Sequence, residues 1–229
     1  MTTLFTTRKT LLWQVMLWGG LLNLVFITIV LLWHPSLLSA QSLATVIFCI
    51  ILLLVYICIG VTLPLRAGQT VTTVLWQGTG FGFLIGFLFT IDIAVEYFLD
   101  MSSQVSTLST LGFMSLLFLL FGVVGARISQ RTGHLLLGSL ASVWSALLGV
   151  LIAVLFGVIV NLVFLQRLEH LLASDYLRSG MRDMTTFTFF NTLDSASSHL
   201  LEAPILAAIF GTLGALLGKS IIRFQKNHK

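Results

Sequence analysis

Six apolar stretches, 11–33, 43–65, 70–99, 108–126, 135–165 and 200–222, occupy most of this 229-residue chain. A hydrocarbon core about 30 Å thick is crossed by about 20 apolar residues in a helix that rises 1.5 Å per residue, and each stretch meets or closely approaches that length. Inside a bilayer, backbone amides and carbonyls have no water to bond, so a spanning segment must satisfy them internally as a helix. The expected fold is all-α: a polytopic transmembrane helical bundle of six spans, forming a single integral membrane domain over 1–229. With 57% apolar and only 9% charged side chains, the chain lacks the polar surface of a water-soluble globule. The lipid bilayer is therefore its expected solvent. Spans three and five are longer than a simple crossing needs, so they are expected to tilt or project.

Charge orients the bundle. Arg8, Lys9, Arg66, Arg127, Arg131, Lys219, Arg223, Lys226 and Lys229, nine of the twelve basic residues, fall on one side of the six spans, while all eight carboxylates fall on the other. Arg167, Arg178 and Arg182 share the acidic side, in the long loop 166–199. Positively charged short loops are retained in the cytoplasm, so both termini are expected there, in a cell (plasma) membrane. The basic residues form short groups at span ends and no basic face with interleaved aromatics, which argues against nucleic acid as a partner.

The long loop has a pattern of its own. Leu168, Leu171, Leu172, Tyr176 and Leu177 share a helical face with Glu169, His170, Asp175 and Arg178 off it, which predicts an amphipathic helix in the outer interface, stopped at Gly180. The segment TTFTFF at 185–190 is aromatic and β-favouring. Asp194 to Ser198 then supplies capping side chains for a last span beginning near 200, with Glu202 and Pro204 suited to its first turn.

Internal repetition is hinted at. Gly60, Arg66 and Gly68 recur as Gly125, Arg131 and Gly133, and Leu12-Trp13-Gln14 recurs at 75–77, a pattern consistent with three helical hairpins made of spans 1–2, 3–4 and 5–6.

Two acids stand out. Asp92 and Glu96 lie in the outer half of the third span, where a carboxylate costs about 2.5–3.5 kcal/mol at mid-bilayer depth and so turns toward the bundle interior or a wet cavity. Their i, i+4 spacing puts both on one face, and two carboxylates held that close repel when ionised, which favours binding of a proton or cation. If the span begins early, the same two residues instead reach the outer headgroups at little cost. Asn161, which falls opposite Glu96 when the hairpins are overlaid, is a third candidate for substrate or ion binding.

Small residues form stripes at a spacing of four: Gly78, Gly82 and Gly86; Gly149, Ala153 and Gly157; Gly214 and Gly218. Such stripes let helix backbones approach closely, which drives association where lipid offers no hydrophobic gain. They are expected to serve helix packing, and through it homo- or hetero-oligomers. Gly78, Gly80 and Gly82 do not make a phosphate cradle, since they neither follow a strand nor open a helix.

Cys49 and Cys58, nine residues apart in one span, point to opposite helix faces and cannot bridge each other. The five histidines show no metal-ligand spacing, and no nucleophile and base sit on facing spans. Neither metal, cofactor nor enzymatic activity is expected. Six spans in 229 residues also resembles the solute-binding components of vitamin uptake complexes, in length and span number alone. The expected role is small-solute or ion translocation, or membrane solute binding, at the outer acidic site. The alternative is a non-catalytic structural or interaction subunit of a membrane complex.

Overall fold

A computed structural model describes residues 2–39, 42–99 and 103–227, with side chains for all of these but 2–4, 103 and 222–227. Asp100 and Lys229, which figure in the charge pattern, lie outside the described residues. Helices account for the ordered elements: α1 (Thr2–Trp33), α2 (Leu43–Arg66), α3 (Gln69–Phe98), α4 (Ser103–Thr132), α5 (Leu135–Val163), the short α6 (Leu165–Leu171) and α7 (Ala173–Ser179), and α8 (Met184–Asn227), with no strand among the described residues. Six of them are long and apolar enough to cross a membrane, as a multi-pass membrane protein requires. We call the side where α1 begins and α8 ends the terminal face, and the opposite side, which carries α6 and α7, the loop face.

The bundle is built around α5. Of its most apolar window 61% is buried, against 22–33% for the other five spans, because its Gly, Ala and Ser positions admit neighbours on every side. Along α3, a Cβ on Gly78 would stand 2.9 Å from the Ala141 carbonyl oxygen, one on Gly82 would stand 2.9 Å from Leu148 Cβ, and Gly86 faces Ile152. Contacts that advance together along both chains make α3 and α5 parallel neighbours. Likewise Gly214 lies against the backbone of Gly122 and Gly218 against that of Ala126, so α8 runs parallel to α4. Trp144 Nε1 donates to Thr79 Oγ1 at 2.9 Å across the first of these seams.

This pairing departs from three sequential hairpins. Spans one and two do pair antiparallel, with Met16 against Gly60 and Ile57 against Gly20, and α5 pairs antiparallel with α8. Spans three and four touch only sparsely. The glycine faces of α3 and α4 are directed to α5 and α8 instead, and the matched glycines differ in backbone: Gly68 has φ −75° where Gly133 has φ 73°.

The loop face differs more. The last span begins at Met184, sixteen residues before the expected start, and TTFTFF is helical. Asp183 explains the start: its carboxylate accepts the Thr186 amide at 2.8 Å and also the Thr186 hydroxyl, as an N-cap does. Since that hydroxyl is spent on the carboxylate, the Ser36 hydroxyl is the donor in the 2.6 Å bond between Ser36 and Thr186, which ties α8 to the turn between spans one and two. Burial of Thr188 and Phe189, at 0% and 2% exposure, overrides the β preference of the segment. Asp194, Ser198, Glu202 and Pro204 consequently sit inside α8 and cap nothing. The expected interfacial helix is two short helices that meet at Leu172, φ −90° and ψ 6°. They share no single buried face, since Leu168 is fully buried and Leu177 is 80% exposed.

Pro204 has no amide hydrogen for the carbonyl of Leu200, one turn back. The Tyr56 hydroxyl of α2 supplies the missing donor at 2.6 Å. The long helix therefore keeps its course through a proline because a neighbouring span completes its bonding.

Candidate functional site: an acidic cavity between α3, α5 and α8

Where α3 nears its end, the glycine seam with α5 opens. Gly157 has no atom within 4 Å of where its Cβ would stand, so the small-residue stripe of α5 changes role along its length. Gly149 meets Ile85 of α3, Ala153 is buried at the edge of a void, and Gly157 leaves room rather than packing, contrary to the expectation for it. The resulting cavity is lined by Asp92 and Glu96 from α3, Ala153 and Gly157 from α5, and Thr192, Ser195 and His199 from α8, between apolar walls that include Phe89 and Tyr97.

Asp92 is half-buried and Glu96 exposed at the rim. Asp92 lies six residues before Phe98, the last of α3, which is about 9 Å of helical rise, so the acids enter from the loop face and stay in that half of the bundle. Opposite them, the His199 ring lies 5.7 Å from that of Phe89, tilted by 45°. Toward the terminal face the cavity ends at Phe89 and Val154, both nearly fully buried, and beyond them Ile85 closes on Gly149. The floor of the cavity is therefore apolar.

Size limits the occupant. The cavity offers about 60 Å³, and a single water takes about 10–15 Å³ by the same measure, whereas pockets for organic ligands run to about 300–1,000 Å³. A few waters, or a small inorganic cation with them, fill it. A vitamin-sized solute does not fit in this conformation. Among the described residues no group of three or more His, Cys, Asp or Glu stands close enough to hold a metal ion, so Asp92, Glu96 and His199 share a cavity without forming a ready-made metal cage.

Asn161 does not line the cavity. It is fully buried one turn beyond Gly157, and its Nδ2 donates to Thr192 Oγ1 at 2.6 Å and to the Thr188 carbonyl at 3.2 Å. It thus sets the rotamer of a lining residue, and its Oδ1 has no hydrogen-bond partner among the described residues. Above the cavity, Arg167 of α6 donates from Nε to the Tyr97 carbonyl at 2.8 Å and from Nη2 to the Phe98 carbonyl at 3.1 Å. Those are last-turn carbonyls of α3 that the helix leaves unsatisfied, so a basic residue on the acidic side serves as the cap of the acid-bearing helix.

The other small residues pack within the chain: Gly78, Gly82 and Gly86 on α5, and Gly214 and Gly218 on α4. Their faces are thereby occupied without a second molecule. Sequence reasoning did not bring His199, Thr192 or Ser195 together with the two acids. The signal was present, since 192, 195 and 199 fall on one helical face, but it read as a polar loop leading into a span. No protein-family model matches the chain, and neither does any curated protein or solved structure.

Proposed function

We propose that this multi-pass membrane protein binds a proton or a small inorganic cation in the cavity between α3, α5 and α8 and takes part in moving it across the membrane, without catalysing a covalent reaction. One observation carries this: ionisable side chains from two different spans, Asp92 and Glu96 on α3 and His199 on α8, line the same cavity. Ionisable groups within spans are costly and typically mark ion or proton pathways, and the small volume favours an ion over an organic solute. The distribution of Lys and Arg supports cytoplasmic termini and a cavity that opens outward in a plasma membrane. Since the floor at Phe89 is closed, translocation requires a second conformation that opens toward the terminal face.

The test is purified protein in liposomes carrying an internal pH dye, with proton, sodium or potassium gradients imposed in turn. The Asp92→Asn, Glu96→Gln double variant should lose gradient-driven flux while keeping its elution profile and melting temperature. Unchanged flux in that folded variant rejects the proposal, as does the absence of flux in the unsubstituted protein under every gradient.

A second reading, a non-catalytic subunit of a membrane complex, draws on α4. Only 22% of its apolar window is buried and Leu108, Leu111 and Leu119 are 59–69% exposed, which leaves a long face for another chain. Native mass spectrometry in mild detergent decides it: a monomer without copurifying protein counts against this reading.

A further inference from the structure

At the terminal face, between the first turns of α3 and the last turn of α4, lies a second cavity of about 380 Å³, lined by Gln69, Thr70, Thr73, Gln77, Arg131 and Thr132 beside Val74. Six of these seven residues carry an amide, hydroxyl or guanidinium, set among aliphatic stems and methyl groups that make up the larger part of the wall. Arg131 Nη1 donates to Gln77 Oε1 at a long 3.4 Å, a weak bond for a group with five donors. Among the described residues no acid lines this cavity to neutralise it, and the chain has no Asp or Glu outside 92–202. Two nearby arginines have aromatic partners: Arg8 lies 5.8 Å from the centre of the Trp76 ring and Arg127 5.9 Å from that of Phe81. Arg131 faces the polar cavity.

The cavity sits at the ends of two candidate spans, α3 and α4, the depth at which the headgroups of that leaflet are expected. A guanidinium recognises phosphate oxygens with a pair of parallel hydrogen bonds, and the Thr70 hydroxyl and the Gln77 amide supply further donors to an oxyanion, whereas the Thr73 hydroxyl is given to the Gln69 carbonyl at 3.0 Å. We propose that this cavity is a binding site for the phosphate of an anionic phospholipid, with Arg131 as its principal ligand. A headgroup that carries its own cation, as phosphatidylcholine does, competes with Arg131 for the phosphate. Phosphatidylglycerol leaves it free. The site is independent of the acidic cavity, and its occupancy would tie the last turn of α4 to the first turns of α3.

The test measures melting temperature in neutral detergent after addition of phosphatidylglycerol, phosphatidylcholine or inorganic phosphate, for the unsubstituted protein, Arg131→Gln, Arg131→Lys and, as control, Arg127→Gln. The expected result is a rise with phosphatidylglycerol alone, lost in Arg131→Gln, reduced in Arg131→Lys and kept in Arg127→Gln. Native mass spectrometry should show retained phosphatidylglycerol on the unsubstituted protein, a measurement that holds even if Arg131→Gln fails to fold. No rise with phosphatidylglycerol, an equal rise in Arg131→Gln, or an equal rise with inorganic phosphate at the same concentration each overturns the proposal.

Discussion

Tyr56 on α2 donates its hydroxyl proton to the carbonyl oxygen of Leu200 on α8 at 2.6 Å, the carbonyl that Pro204 deprives of its helical partner. Removing the hydroxyl should leave a buried acceptor with nothing to bond. Tyr56→Phe is expected to lower stability by about 1 kcal/mol, the scale of a buried hydrogen bond in a membrane protein. Pro204→Ala restores an amide that reaches Leu200, so Tyr56→Phe should cost less in that background. A double-mutant cycle by thermal denaturation in detergent checks this; equal losses in both backgrounds would mean that the carbonyl is satisfied in some other way.

Asp183 caps α8, and its carboxyl is held below the usual range chiefly by the Thr186 hydroxyl, with the Thr185 and Thr186 amides and the nearby His34 adding to the effect. A group whose pKa is lower folded than unfolded stabilises the fold at pH above its unfolded value, ordinarily 3.8, and loses that contribution as pH falls through the folded one. Stability should therefore be flat above about pH 5 as far as Asp183 is concerned, and decline below about pH 4. Asp183→Ala should cost about 1 kcal/mol at neutral pH. Asp183→Asn, which keeps an acceptor, should cost less and flatten the acid limb of a melting-temperature profile.

Two glycines should behave oppositely. A Cβ at Gly82 would stand 2.9 Å from Leu148 Cβ and 3.0 Å from the Ser145 carbonyl oxygen, so Gly82→Ala should push α3 from α5 and cost about 1–3 kcal/mol. Gly157→Ala meets nothing within 4 Å and should leave melting unchanged. It removes volume from a cavity of about 60 Å³, however, and on the ion-binding proposal it should reduce flux. Gly157→Ala with full flux would separate that glycine from the site.

Arg167→Met removes both bonds to the carbonyls of Tyr97 and Phe98 while keeping much of the side-chain bulk. Hydrogen exchange should then rise in the last turn of α3 and in α6 and stay unchanged in α1 and α2. Uniform exchange across the bundle would show that the end of α3 is held by other contacts.

What the sequence made legible follows from the solvent. A span must be apolar throughout its crossing, so α1, α2, α3 and α5 are readable to within a residue or two at most ends, except that α1 starts well before its apolar stretch. The acids Asp92 and Glu96 are readable because one helix turn joins them. His199 is not, because no covalent spacing links α8 to α3, and because polar residues that line a cavity look like those of a loop: Asp194, Ser195, Ser198 and Glu202 hid the first sixteen residues of a helix. Small-residue stripes at Gly78 and Gly214 disclose that a helix is approached closely, and nothing in them says by which neighbour. The pairing of α3 with α5 and of α4 with α8 was therefore beyond reach.

That pairing bears on how the protein is made. Spans leave the ribosome in order, at about 5–20 residues per second, and α3 emerges before its principal companion. The helix with Asp92 and Glu96 must wait through the whole of α4 before α5 arrives, and α4 in turn waits through α5, α6 and α7 for α8. During that interval the two carboxylates have neither Ala153 and Gly157 beside them nor His199 across from them. Biogenesis of this bundle thus includes a stage at which an acidic span stands without its mate, which ends when α5 arrives, while the cavity itself is completed only when α8 brings His199 to the two acids.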